Sequence, residues 1–172
     1  MTTPNVGSAE RRLAVEIRSW KFGFAVFDGA NLLDWGVCRF PAGGTAIAIR
    51  RLEFLLKAYS PPLVIARRVR HAKHSSSKRA VRLIRGIRDE LERRSVQFAV
   101  LARRDIREYF AHRGCRNKVE VATIIADRFP RLKPRLPRSR KPWDPELNIV
   151  AVFDAVATAL AFEAFQELTA DT

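Results

Sequence analysis

The sequence predicts an α/β fold: one mixed five-stranded sheet with helices on both faces. Three observations predict it. Three apolar segments with short connections open the chain, which is an antiparallel meander. Two later apolar runs each follow a helical stretch, as buried parallel strands do. Between and after them, apolar residues recur at spacings of three and four, the stripe of a helix packed on a core.

Each element has its own signal. Residues 13–17 (LAVEI) and 22–28 (FGFAVFD) read as the first two strands. Asp28-Gly29-Ala30-Asn31 is turn chemistry, and residues 32–40 (LLDWGVCRF) are the third strand. Pro41 to Gly44 is a loop, and Thr45 is placed to cap a helix reaching Tyr59, with Ile49, Leu52, Leu56 and Tyr59 near one face. Pro61-Pro62 ends it, and LVIA, residues 63–66, is the fourth strand. Ser75 to Ser77 offer N-caps to a helix over 78–94, whose stripe is Ala80, Ile84, Ile87 and Leu91. QFAVL, residues 97–101, is the fifth strand. Helices are expected over 105–112, 117–129 and 147–168, with a Pro- and Arg-rich loop over 131–143. Residues 1–11 read as a flexible N-terminal arm, and 12–172 as one domain.

The 172 residues carry a formal net charge of +14, which favours a polyanionic partner, nucleic acid before an anionic membrane surface. The charge is uneven. Arg67 to Arg94 holds eleven Lys/Arg against three acids, whereas Pro142 to Thr172 holds six acids and no Lys or Arg. The cysteines, Cys38 and Cys115, form no CxxC pair, which fits reduced thiols in a cytoplasmic protein better than a disulfide scaffold. No signal peptide or membrane-spanning run is recognisable. No Gly-rich phosphate loop is present, which argues against nucleotide-triphosphate or dinucleotide chemistry.

Several residues stand out for chemistry. Glu16 is an acid on an apolar strand, and Gly23 follows seven residues later, with Ser19 and Lys21 between. Arg113-Gly114-Cys115-Arg116-Asn117-Lys118 precedes a helix after the fifth strand. In the last helix, AVFDAVATAL sets Asp154 before Ala155. In this order, over about residues 13–162, these motifs resemble RuvC-type Holliday-junction resolvases of the ribonuclease-H-like superfamily. The resemblance implies metal-binding carboxylates at Glu16 and Asp154, a Glu just past the fourth strand, and a further acid three residues before Asp154. Ala66 and Ala151 stand at those last two positions. Glu146, eight residues before Asp154, is the candidate substitute ligand, with Asp144 further upstream.

Such sites hydrolyse phosphodiesters with two Mg²⁺ or Mn²⁺ ions roughly 3.5–4 Å apart, and hard cations need several carboxylate oxygens. Weak or absent metal binding is therefore expected here. Glu16 reads equally well as the partner of a nearby arginine such as Arg67 or Arg68, and Asp154 as a helix-surface acid paired with Arg.

The candidate nucleic-acid contacts are Lys21, Arg67, Arg68, Arg70, His71, Lys73, His74, Lys78, Arg116 and Lys118. His71 and His74 lie among cations and suit phosphate better than a metal. Trp20 adds an aromatic beside the site, for stacking on an unpaired base or for the core. Three functions stay open. One is a RuvC-like protein that binds branched or structured DNA through a degenerate site, as the homodimer that the resemblance implies. Another is an active structure-selective endonuclease of recombination and repair using Glu16, Glu146 and Asp154. The third is a basic scaffold for RNA or a protein partner.

Overall fold

The computed structural model describes residues 11–41, 43–69, 75–137 and 147–170. Its elements are β1 (Arg11–Ile17), β2 (Lys21–Asp28), β3 (Asn31–Arg39), α1 (Thr45–Tyr59), β4 (Leu63–Arg67), α2 (Ser75–Arg93), β5 (Gln97–Leu101), α3 (Arg103–Ala111), α4 (Lys118–Arg128), a 3-10 turn (Pro130–Arg135) and α5 (Val150–Ala170). The sheet order is β3-β2-β1-β4-β5. β1 and β2, and β2 and β3, pair antiparallel, whereas β4 lies parallel to β1 and to β5. The predicted mixed five-stranded sheet is present.

Strand periodicity divides the core in two. Leu13, Val15 and Ile17 of β1 pack with α1 and α2, together with Phe22, Phe24 and Val26 of β2. Ala14, Ala25 and Phe27 face the other way, into the layer built by α3, α4 and α5. Alternation places Glu16 on that second face, toward α5. α5 is apolar nearly all round because it lies across the centre of the sheet: Ala151, Val152, Phe153, Ala155 and Val156 are all buried.

Gly23 is what lets α5 approach so closely. A Cβ built at Gly23 would fall 2.3 Å from both the carbonyl carbon and the oxygen of Ala151. Gly23 also pairs across the ladder with Glu16, so the close approach sits beside that acid. The seven-residue Glu-to-Gly spacing is thus two strand positions brought face to face by a hairpin.

Several boundaries differ from expectation. β1 begins at Arg11, within the stretch read as an arm, because Arg11 and Arg12 ion-pair with Asp28 and Glu163 and extend the ladder. Thr45 is the first residue of α1, and Gly44 is its N-cap, with no side-chain cap bond. α2 starts at Ser75, so the three serines lie in its first turn rather than ahead of it. Residues 131–135, the start of the stretch read as loop, belong to the 3-10 turn, which buries Leu132 against the α5 layer. α5 starts at Val150, three residues later than expected.

Gly86, inside α2, gives a separate check on packing. An added Cβ would meet Ile49 Cδ1 at 3.4 Å, ordinary contact. Gly86→Ala is expected to stabilise the protein by about 1 kcal/mol, because helix interiors disfavour glycine by that amount. Thermal unfolding should rise by roughly 2–4 °C. A fall would show that α1 and α2 leave no room there.

Candidate functional site

Glu16 and Asp154 meet where the end of β1 faces α5, and three cations close around them. Arg67 ion-pairs with Glu16 Oε1. Arg18 reaches both acids, its Nε 3.2 Å from Glu16 Oε1 and its Nη2 donating to Asp154 Oδ2 at 2.5 Å. Lys118 Nζ donates to the same Oδ2 at 3.1 Å. The cluster keeps a net positive charge even with both carboxylates ionised. Glu16 is 1% exposed, and its Oε2 has no hydrogen-bond partner among the described residues.

Local sequence explains each arrival. Glu16 and Arg18 are two apart, so both point to the α5 side. On β4, Val64 and Ala66 pack in the α1/α2 layer and Ile65 in the α5 layer, so Arg67 is the residue that turns toward Glu16. Ala66 therefore points away from the acids. Lys118 is delivered by the motif around Gly114. Gly114 adopts φ +83 and reverses the chain after α3. Asn117 then caps α4 by accepting from the amides of Val119 and Glu120, at 2.9 and 3.0 Å. Lys118, first in the helix, reaches Asp154.

Burial governs Glu16. It lifts the carboxyl from an ordinary 4.5 to about 7, despite the opposing pull of Arg67 and with Asp154 adding to the rise. The folded state therefore holds a proton on Glu16 that the unfolded chain has lost by about pH 5. Stability from this group is full below pH 4.5 and is lost as pH rises through about 7, on the order of 3 kcal/mol in all. Glu16→Gln mimics the protonated acid, so its melting temperature should not fall between pH 5 and pH 8 as the parent's does. Parallel pH curves for the two proteins would sink this account.

Two cavities flank the cluster. One, of about 790 Å³, is lined by Arg18, Arg67 and Arg68 on the floor side, with Lys21, Arg39 and Trp20 from β2, β3 and the turn before β2. Arg103 and Arg104 complete it, and among the described residues no acid lines it. Lys21 also donates to Asn148 at 2.7 Å. The second, of about 500 Å³, holds Asp154, Arg116 and Lys118 between α3, α4 and α5. Arg67, Arg103 and Arg104 line both, which makes one continuous basic surface.

The structure thus brings together Glu16, Asp154, Lys21, Arg67, Arg68, Arg116 and Lys118. Lys78 is exposed in the first turn of α2 and lines neither cavity. Arg70, His71, Lys73, His74 and Glu146 lie outside the described residues. Sequence reasoning missed Arg18, Arg39, Arg103 and Arg104. The signals existed: Arg18, just past β1, is two residues from Glu16, and Arg103-Arg104 follow the parallel strand β5 as Arg67-Arg68 stand at the end of β4, where α/β sheets bind ligands.

No protein-family model matches the chain, and no curated protein matches it in sequence. Solved structures do. Thermus thermophilus RuvC in complex with Holliday junction substrate superposes with a TM-score of 0.70 at 14% identity, covering 92% of this chain and 95% of that one. Another Thermus thermophilus RuvC structure gives 0.68 at 16% identity, covering 92% and 96%. The yeast mitochondrial Holliday junction resolvase Ydc2 gives 0.62 at 15% identity, covering 93% and 80%. The sheet order, the helices on its two faces and these superpositions together make the fold that of the RuvC-type, ribonuclease-H-like resolvases.

Proposed function

We propose that this chain is a RuvC-like nucleic-acid-binding protein that recognises branched DNA and whose acid site no longer supports two-metal catalysis. One observation carries the reading: Glu16 and Asp154 are held by Arg18, Arg67 and Lys118, cations that line a continuous basic surface. Two Mg²⁺ or Mn²⁺ ions need several free carboxylate oxygens. Among the described residues no three of Asp, Glu, His or Cys come together, and the β4 residue turned toward Glu16 is an arginine. A guanidinium there repels a cation and attracts a phosphate. That donor set does not fit a two-ion centre.

Supporting the partner class are the charge of +14, the arginines that line the larger cavity and the fold shared with a resolvase solved on a Holliday junction. Among the described residues no helix is long and apolar enough to cross a membrane. Pairing into a homodimer and a cytoplasmic location are part of the same proposal, carried over from the resemblance and from the reduced-thiol reading of Cys38 and Cys115.

The test uses labelled four-way junction, duplex and single-stranded DNA in Mg²⁺ and in Mn²⁺, with Asp154→Asn alongside. Expected is salt-sensitive binding that prefers the junction, without cutting in either metal. Metal-dependent cutting that disappears in Asp154→Asn would overturn the degenerate-site reading and establish the endonuclease, with Glu146 the first residue to examine. Binding of RNA or protein in preference to any DNA would establish the scaffold.

A further inference from the structure

We infer that the larger cavity is a pocket for one unpaired nucleobase, stacked on Trp20, with its flanking phosphates on the surrounding arginines. This rests on the nucleic-acid reading above and names the feature of the DNA that is recognised.

Trp20 is 41% exposed, although tryptophan is on average among the well-buried residues. It lines the larger cavity instead of joining the core, whereas its neighbour Phe22 is buried. The turn that carries it is fixed. Arg18 N donates to Lys21 O at 2.9 Å, and Phe40 N donates to Trp20 O at 3.0 Å, tying the turn to the end of β3. The ring is therefore presented by backbone bonds on both sides. The Arg79 guanidinium of α2 lies 3.9 Å from the ring centroid and covers one face as a cation–π partner. A base on the opposite face would complete an arginine–indole–base stack.

The cavity suits such a guest in size and chemistry. About 790 Å³ falls within the range of small-molecule sites and leaves room for a base with its sugar and phosphate. Arg39, Arg68, Arg103 and Arg104 offer guanidinium groups to phosphate oxygens. Asn148, aligned by its bond from Lys21, adds an amide able to meet a base edge. Stacking needs a base free of its pair, so fully paired duplex cannot use the pocket. Branch points and bulges offer such bases.

The experiment compares the full chain with its Trp20→Ala and Trp20→Phe variants. Probes are a duplex bearing one bulged 2-aminopurine and the same duplex fully paired. Removing one base–aromatic stack should weaken binding to the bulged probe by about 5- to 150-fold in Trp20→Ala. The fully paired probe should change less than twofold, and the salt slope should stay as in the parent. Trp20→Phe should retain most of the affinity, and 2-aminopurine quenching on binding should be lost in Trp20→Ala. Equal loss on both probes, an altered salt slope, or no loss on the bulged probe would overturn the inference while leaving nucleic-acid binding standing. Failure of the parent to bind either probe or the four-way junction would instead overturn the proposed function beneath it.

Discussion

Combining Arg68→Ala, Arg103→Ala and Arg104→Ala is expected to weaken DNA binding by up to roughly 500-fold at 0.1 M salt and to flatten its salt dependence. Each phosphate neutralised on duplex DNA adds about 0.9 to the log–log salt slope, so three lost contacts remove up to about 2.7. All three side chains are exposed, which keeps the cost to the fold small. Arg104 does pair with Asp105 at 3.2 Å, but an ion pair in solvent contributes little. The backbone bond from Arg68 N to Leu101 O survives the substitution. A control combining Arg50→Ala, Arg82→Ala and Arg85→Ala removes the same charge from exposed positions that line neither cavity. Titrations at several salt concentrations decide the matter. Equal losses in the two triple variants would mean that net charge, rather than the basic surface around Glu16 and Asp154, holds the DNA. An unchanged slope in the first would move the DNA path elsewhere, with the arginines around Arg135 the next to replace.

Gly23→Val should destabilise the protein by about 4 kcal/mol or more, and lower its melting temperature by roughly 8–16 °C. On propensity alone the sign would be the opposite, since valine favours strands and glycine weakens them. The decisive fact is the 2.3 Å gap between a Cβ at this position and the Ala151 backbone. Backbone cannot rotate aside as a side chain can, so α5 must lift from the sheet, and overpacking at this severity exceeds the usual 1–3 kcal/mol. Lifting α5 also moves Asp154 away from Arg18 and Glu16. Gly36→Ala is the contrast: its Cβ would meet the Phe24 ring at 2.9 Å, and a ring can give way. Comparable losses at the two positions would show that α5 is not seated as described.

Much of this molecule could be read from the order of its residues. The apolar runs LAVEI, FGFAVFD and LVIA specify strands buried on both faces, and QFAVL specifies a fifth strand, half-buried at the sheet edge. The Pro61-Pro62 break and the stripe Ala80, Ile84, Ile87, Leu91 specify the helices between them. These are local signals, set by φ/ψ preference and side-chain period, and they survive into the fold. Helix ends were less legible. α2, α3 and α5 start where tertiary contacts permit, and Thr45 shows that a good capping residue need not be the cap.

The candidate site was legible in its acids and obscure in its cations. Glu16 and Asp154 stood out because carboxylates in apolar segments are costly unless something meets them. Which residues meet them is a question of sheet register, and register is not local. The sequence placed both Arg67 and Ala66 beside the site; only the parallel pairing of β4 with β1 turned Arg67 toward Glu16 and Ala66 into the opposite layer. Arg103 and Arg104 were two among many arginines until β5 brought them level with Arg67. By itself, then, the sequence determined a mixed five-stranded sheet, a large positive charge and a buried acid in need of partners, because each of these follows from residue type and short-range spacing. The tertiary structure alone decided that those partners are Arg18 and Arg67, with Lys118 on the neighbouring Asp154, and that Trp20 stands in the groove, because both depend on which distant segments the parallel strands and the Gly23–α5 contact bring within a few ångströms.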